Sequence, residues 1–242
     1  MLSRNEVKYI QSLYHKKNRD NEALFIAEGI KLTNELLDAD FIIKKIYAIK
    51  EWIDVNTTIE NVVEVSEADL KRISNFETPQ QVLAVVKQKG ATNIPDLTNK
   101  ITLVLDGIQD PGNLGTIIRT ADWFGIKNII ASNDTADVYN PKVVQSTMGS
   151  IARVNIFYTD LDEFLSTNKI AVYGAMLDGQ IIATIQKPNE CLLVIGNESK
   201  GIRNNMLPFI QQKIAIAGKG DAESLNAAVA TGIILYKLCG ED

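Results

Sequence analysis

Short, almost unbroken apolar runs recur through the second half of the chain: ITLVL (101–105), 127–131, 154–157, 170–176, CLLVI (191–195) and 213–217. A strand with one wet face alternates apolar and polar residues. Continuous runs therefore predict strands covered on both faces, as in a parallel sheet flanked by helices. Between the runs, Leu114, Ile117, Ile118, Ala121 and Phe124 recur at helical spacing, with Gly125 as a natural stop. A last helix is predicted over 222–238 from Leu225, Val229, Gly232, Ile233 and Tyr236. The fold class is α/β.

The first part carries a second set of elements: helices over 4–17, 29–38 and 67–75, and strands over 24–28, 43–49, 61–65 and 82–88, enough for a small α/β sandwich. Between the two sets lies GATNIPDLTNK (90–100), polar and interrupted by Gly90 and Pro95, which reads as a linker. The expected organisation is a small domain over 1–90, a linker over 91–100 and a larger domain over 101–242.

Composition removes several functions. At 242 residues and 45% hydrophobic content the chain can bury a sizeable core. The only histidine, His15, lies near the start, so imidazole acid/base chemistry is not expected in the second part. Cys191 and Cys239 are far apart without CxxC spacing, so neither a disulfide framework nor a metal site is expected. No apolar run reaches the ~18 residues of a membrane span and the start has no signal-like apolar stretch, which points to a reducing, cytoplasmic setting. The net charge of −5 restricts nucleic-acid binding to local patches. One candidate is the cluster His15, Lys16, Lys17 and Arg19, in a stretch (1–50) with nine Lys and Arg against seven Asp and Glu. The alternative for that cluster is a solvated helix end.

Three glycine-bearing segments end in polar tips just beyond predicted strands: IQDPGNLGTIIRTADWFGI (108–126), LLVIGNESKGI (192–202) and IAIAGKGDAESLNAAVATGIILY (214–236). Open α/β sheets bind ligands at such strand ends. A phosphate loop is not among them. The Walker spacing is absent, Gly201 being followed by Ile202, and GKG at 218–220 lacks the third glycine of the dinucleotide fingerprint.

Asn113, Gly115, Arg119 and Ala121 spell NxGxxxRxA, followed in order by IGNESKGI (195–202) and ESLNAAVA (223–230). This ordered triple resembles the three motifs of the SpoU (TrmH-type) RNA ribose 2'-O-methyltransferases of the SPOUT superfamily. RNEVKYIQSLYHKK and LFIAEG also look like the substrate-binding domain that often precedes such catalytic domains. The resemblance implies a C-terminal domain with a parallel sheet and a trefoil knot, S-adenosylmethionine as methyl donor, structured RNA as substrate (ribosomal RNA, with transfer RNA as the alternative) and a homodimer, with no metal.

Carried over by position, Gly196, Ile216 and Leu225 are expected to line the donor, with plain core packing as the alternative for Ile216 and Leu225. Arg119 is expected to clamp a phosphate and stabilise charge on the ribose oxygen, since a guanidinium with pKa above ~12 is a poor base. Asn113 and Asn226 would fix the ribose or Arg119 by amide hydrogen bonds, Ser224 would join that network, and Glu198 would orient Arg119 or a motif loop. Capping is the alternative for Asn113, Glu198 and Ser224. The chain departs from the family at Ala215, commonly Pro, and at Ala227 and Ala228, commonly Val-Ser. TMGSIARV (147–154) looks like the small-residue turn between the first two motifs, for which packing at Gly149 suffices. Arg153 and Lys142 could extend an RNA-binding surface across a dimer. The competing functional reading is an RNA-binding protein that keeps the fold without turnover.

Overall fold

A computed structural model describes residues 1–90 and 93–240. Ala91 and Thr92, which open the expected linker, lie outside the described residues. The contacts divide the chain into two compact units: Met1–Gly90 with Asp137–Ala152, and Ala91–Ala136 with Arg153–Asp242.

In the first unit the periodicity expected to give one helix over 4–17 gives two, α1 (Arg4–Ser12) and α2 (Lys16–Glu22). Ser3 caps α1 by accepting the Glu6 amide, and the chain turns at Leu13 before His15 opens α2. The unit continues with β1 (Leu24–Glu28), α3 (Ile30–Asp38), β2 (Ile43–Ala48), α4 (Lys50–Val55), β3 (Val62–Glu64), α5 (Glu67–Ile73) and β4 (Val82–Lys87). The sheet order is β1-β4-β2-β3, with β4 antiparallel to both neighbours and β3 parallel to β2. Val7, Ile10 and Leu13 close one side of its core against Ile26, Leu70 and Val85. Burying each such side chain stabilises by about 1.5–3 kcal/mol.

The second unit begins with β5 (Ile101–Asp106), α6 (Pro111–Trp123) and β6 (Asn128–Ser132). The expected linker does not float free in its described part, 93–100: Leu97 is buried in the second unit's core and the Asn99 amide donates to Glu190 at 2.7 Å. The chain then supplies the segment 137–152, carrying α7 (Pro141–Ser146), to the first unit. Sequence alone placed that segment with the larger domain. What ties it to the first unit is specific: Arg19, on α2, holds Asp137 at 2.6 Å, Tyr139 stacks near Phe25, and α7 packs on β1.

The rest of the second unit runs through β7 (Asn155–Thr159), α8 (Leu161–Thr167), β8 (Val172–Ile181), β9 (Cys191–Gly196), β10 (Gln212–Ala215) and α9 (Ala227–Cys239). Its six strands lie in the order β10-β8-β9-β5-β6-β7, every neighbouring pair parallel. The continuous apolar runs have the burial they predicted: Leu103, Val104, Leu105 and Cys191 to Val194 are fully covered. Strand order reverses at β5. The chain moves outward through β6 and β7, then returns to place β9 on the other side of β5. The carboxyl ends of β5 and β9, where Asp106 is in register with Gly196, form the switch point at which open sheets leave a crevice.

The helices that carry Asn113 and lead from Asn226 both start at a side-chain cap, and the second starts later than expected. The α6 helix begins at Pro111, capped by Asp110, whose carboxylate accepts the Asn113 amide at 2.8 Å, so Asn113 is inside the first turn and is not the cap. The α9 helix begins only at Ala227. Residues 222–226 stay irregular because the Asn226 side chain accepts the Ala228 and Val229 amides and ends the helix there.

Candidate active site

The glycine-bearing segments meet at the switch point. At the end of β9, Asn197 and Gly201 close a tight turn by exchanging backbone hydrogen bonds at 3.1 and 2.8 Å. Only glycine fits at 196, because a Cβ there would stand 2.3 Å from the Gly201 carbonyl carbon. The Asn197 amide nitrogen donates to the Gly107 carbonyl at 2.9 Å, and its oxygen accepts the Ser199 and Lys200 amides. The loop after β5 and the loop after β9 are thus tied at their bases.

Asp106, 1% exposed, secures the far end of the same loop. Its carboxylate accepts the Arg203 amide at 2.8 Å and the Arg203 Nε at 2.5 Å. Burial opposes the charge on Arg203, and the Asp106 carboxylate more than restores it, so the guanidinium sits above its ordinary pKa. The neighbouring Asp134 is held below the usual carboxylate range, first by the Ser132 hydroxyl, with burial opposing and Arg203 adding a further lowering. Asp106, Asn197 and Arg203 were not singled out from sequence. Asn197 sits beside Glu198 in the second segment and Asp106 ends an apolar strand, so both carried a signal; Arg203 carried none.

On this base stands a directional chain of side chains. Asn113 donates through Nδ2 to Glu198 Oε1 at 2.6 Å, and Asn226 donates through Nδ2 to Asn113 Oδ1 at 2.8 Å. An ionised carboxylate only accepts, so Glu198 fixes which way the Asn113 amide points. That leaves the Asn113 oxygen facing Asn226, whose own oxygen then turns to the α9 amides at 2.9 and 3.3 Å. One residue from each segment is therefore coupled to the other two. Asn113 and Asn226, expected to fix the ribose or Arg119, here bond each other, and Glu198, expected to orient Arg119 or a motif loop, meets Asn113.

Arg119 lies on α6 six residues beyond Asn113, which is about 9 Å along the axis and a third of a turn around it. It is exposed, and among the described residues its side chain has no hydrogen bond or ion pair. Ser224 is exposed on the irregular stretch before Asn226 and joins no hydrogen bond of the network. Gly196 is half-buried at the end of β9. Ile216 is half-buried and Leu225 is 46% exposed, so neither is core. The backbone over 218–225 enters no backbone hydrogen bond among the described residues, leaving its amides and carbonyls open.

Of the basic cluster in the first unit, Lys16 and Lys17 are exposed at the start of α2. Arg19 is not available to RNA: it is 1% exposed, donating to the Leu13 and Tyr14 carbonyls and to Asp137. The reason is helical geometry, since three residues beyond Lys16 the side chain turns inward to the turn that joins α1 to α2. Arg153 pairs with Asp122 at 2.8 Å. No group of three or more metal-ligating side chains occurs among the described residues.

The SpoU rRNA Methylase family matches residues 100–236, and the MRM3-like substrate binding domain matches residues 4–84. The chain is 32% identical to the Bacillus subtilis 23S rRNA (guanosine(2553)-2'-O)-methyltransferase RlmP, over 97% of this chain and 96% of that one. A TrmH-family protein from Porphyromonas gingivalis superposes with a TM-score of 0.88 at 39% identity, covering 98% of both chains. An AdoMet-bound rRNA methyltransferase from Sinorhizobium meliloti does so with a TM-score of 0.87 at 31% identity, covering 98% of this chain and 96% of that one.

Proposed function

The chain belongs to the SpoU rRNA methylase family, and from that premise we propose how its own residues carry the reaction. It is an S-adenosylmethionine-dependent enzyme that methylates a ribose 2'-hydroxyl of ribosomal RNA. The observation that carries the reading is the chain Glu198–Asn113–Asn226, which links the segments at the switch point and leaves Arg119 unengaged on the same helix. The residues present suit an adenosine-bearing donor. Ile216 and Leu225 offer partly exposed apolar surface, and the open backbone over 218–225 can read an adenine edge without a charged group.

The bound donor supplies an electrophilic sulfonium methyl, and transfer breaks its C–S bond as the ribose oxygen forms a new C–O bond. The chain's task is then positioning and charge stabilisation, since an in-line displacement needs no metal. Arg119 holds a phosphate of the RNA and stabilises negative charge growing on the 2'-oxygen. It stays protonated throughout, so the hydroxyl proton leaves to water or a neighbouring group. Glu198 locks the Asn113 amide, and Asn113 with Asn226 keeps the α6 and α9 starts in register. Ser224 lies two residues before Asn226 and hydrogen-bonds the ribose when RNA is bound.

The same reading extends to assembly and setting. Trp123 (85% exposed), Val229 (52%), Ile233 (40%) and Tyr236 (71%) put apolar side chains on the outer faces of the packed pair α6 and α9. A helix apolar all round calls for a partner on both sides, and a second copy of the chain covers this face. The path of the chain supports the trefoil knot: β10 lies at the sheet edge beyond β8, yet α9 returns to pack on α6. Residues 1–90 act as the substrate-binding domain, with Lys16 and Lys17 as RNA contacts. The free thiols Cys191 and Cys239 suit the cytoplasm, and no described helix is long and apolar enough to cross a membrane.

The deciding experiment incubates the purified protein with tritiated S-adenosylmethionine and in vitro transcribed 23S rRNA, then maps the label. Methylation of one ribose supports the reading. Binding of donor and RNA without transfer would instead establish a non-catalytic RNA-binding protein. Sedimentation of wild type and Tyr236→Asp tests the dimer, with a monomeric wild type as the overturning result.

A further inference from the structure

The first unit contains a concave site that the methyl-transfer reading does not use. It is a cavity of about 430 Å³ lined by Tyr9, Glu22, Leu24, Lys44, Lys45, Tyr47, Val85 and Lys87. That size is within the usual range of small-ligand clefts. Its floor is the sheet: Leu24 on β1 is in register with Lys87 on β4, and Lys45 on β2 with Val85. Alternation along a strand sends Lys44 and Lys45 to opposite faces. Here it does not, because the register of β2 on β4 slips between Ile43 and Lys45, inserting Lys44 as a bulge that brings both lysines to the cavity.

Charge in the cavity is arranged unevenly. Glu6, at its edge, accepts from Lys45 and from the Tyr47 hydroxyl and is held below the usual carboxylate range by those bonds. Glu22 is engaged by the Tyr9 hydroxyl, whose own ionisation is pushed up, chiefly by burial and then by that carboxylate. Both acids are thus committed to neighbours. Lys44 and Lys87 are exposed, and their side chains have no hydrogen bond or ion pair among the described residues. Beside them the Tyr9 ring is 41% exposed. Two uncommitted cations and an accessible aromatic ring around an apolar floor, in a chain of net charge −5, match what an unpaired nucleotide requires: a stacking face and a phosphate clamp.

We propose that this cavity is an RNA subsite that holds an unpaired nucleotide of the substrate, its base stacked on Tyr9 and its phosphate between Lys44 and Lys87. The proposal rests on the reading of the chain as an RNA methyltransferase and assigns RNA contacts apart from the Lys16 and Lys17 cluster.

The test uses the full chain and in vitro transcribed 23S rRNA, with filter binding and tritium transfer measured in parallel. Three variants are compared with wild type: Lys44→Glu/Lys87→Glu, Tyr9→Ala and Tyr9→Phe. A control, Lys50→Glu/Lys71→Glu, makes the same charge change at exposed residues outside the cavity. Expected are a roughly tenfold or greater loss of RNA affinity for the lysine pair and for Tyr9→Ala, with Tyr9→Phe close to wild type. The salt dependence of binding falls by about 0.7 per lysine removed. The KM for RNA rises while kcat at saturating RNA and the affinity for S-adenosylmethionine stay unchanged. Equal losses in the control pair, or RNA affinity unchanged in the cavity variants, overturn the subsite. Wild-type protein that binds the transcript but transfers no methyl group overturns the enzymatic reading instead, and the subsite is then judged on binding alone.

Discussion

Two arginines show how differently the two units use charge. Arg19, in the first unit, is sealed in the turn between two helices, its two terminal guanidinium nitrogens directed to carbonyls and to Asp137. Arg119, in the second, stands in water with no protein partner among the described residues. The first unit also buries Glu28, which accepts from the Tyr14 and Ser74 hydroxyls, each at 2.6 Å, and from the Asn75 amide. It spends its buried charge on holding its own elements together. The second unit pairs its one buried acid at the switch point, Asp106, with Arg203, but links its three segments above that base through the Asn113 and Asn226 amides and the Glu198 carboxylate, and leaves Arg119 for a ligand. A buried ion must be paired to be tolerated, whereas a cation meant for a phosphate must not be satisfied in advance.

The sharpest way to break this contrast is to remove each arginine in turn. Arg19→Ala leaves Asp137 and two carbonyls without their donor, and breaking such a pair costs about 3–5 kcal/mol. A fall in melting temperature on the order of 10 °C is expected, with methyl transfer retained at low temperature. A melting curve unchanged from wild type would show the buried pair to be idle. Arg119→Ala should do the reverse: transfer falls about 10²–10³-fold, as for loss of a donor to developing charge, while the melting temperature barely moves. Transfer at the wild-type rate would remove Arg119 from the reaction.

A smaller effect is expected at the centre of the amide chain. Asn113→Ala removes the donor to Glu198 and the acceptor for Asn226, which loosens the positioning of the first and third segments. About a ten- to hundredfold loss in kcat is expected, with a stability change on the order of 1 kcal/mol. Activity near wild type would mean that the link is structural only.

The smallest effect is in pH. In the first unit the Tyr139 phenol is pushed up to about 12, chiefly by burial, with the Lys89 amide pulling it down and Asp137 pushing it up. Its folded pKa lies above its ordinary value of 10.0, so the stability it contributes is complete below pH 10 and is lost as pH rises toward 12. Tyrosinate absorbance and circular dichroism followed together over that window should show the first unit loosening as Tyr139 ionises. Ionisation near pH 10 without structural change would place the ring in water.

Much of the fold was legible because burial on both faces leaves an unmistakable pattern. The runs 101–105 and 191–195 read as covered strands and are. Some short helices were not legible: α4, α7 and α8 carry too weak a periodic signal at seven or fewer residues, whereas α5, no longer than α8, was expected over 67–75. The break at Leu13 was also hidden, since Leu13 itself fits the helical spacing that the turn interrupts. At the switch point, the residue types at 113, 198 and 226 were readable from their order and spacing. Their partners were not, because 85 and 113 residues of chain separate Asn113 from Glu198 and Asn226.

The sequence by itself determined an α/β chain with its chemistry at strand ends, because apolar periodicity and glycine placement act through local geometry. Only the tertiary structure decided that Arg19 is interior, that residues 137–152 pack with the first unit, that Glu198 meets Asn113, and that a bulge brings Lys44 beside Lys45. Each of these depends on which distant backbone passes a side chain, and on whether that neighbour offers it a partner or leaves it to water.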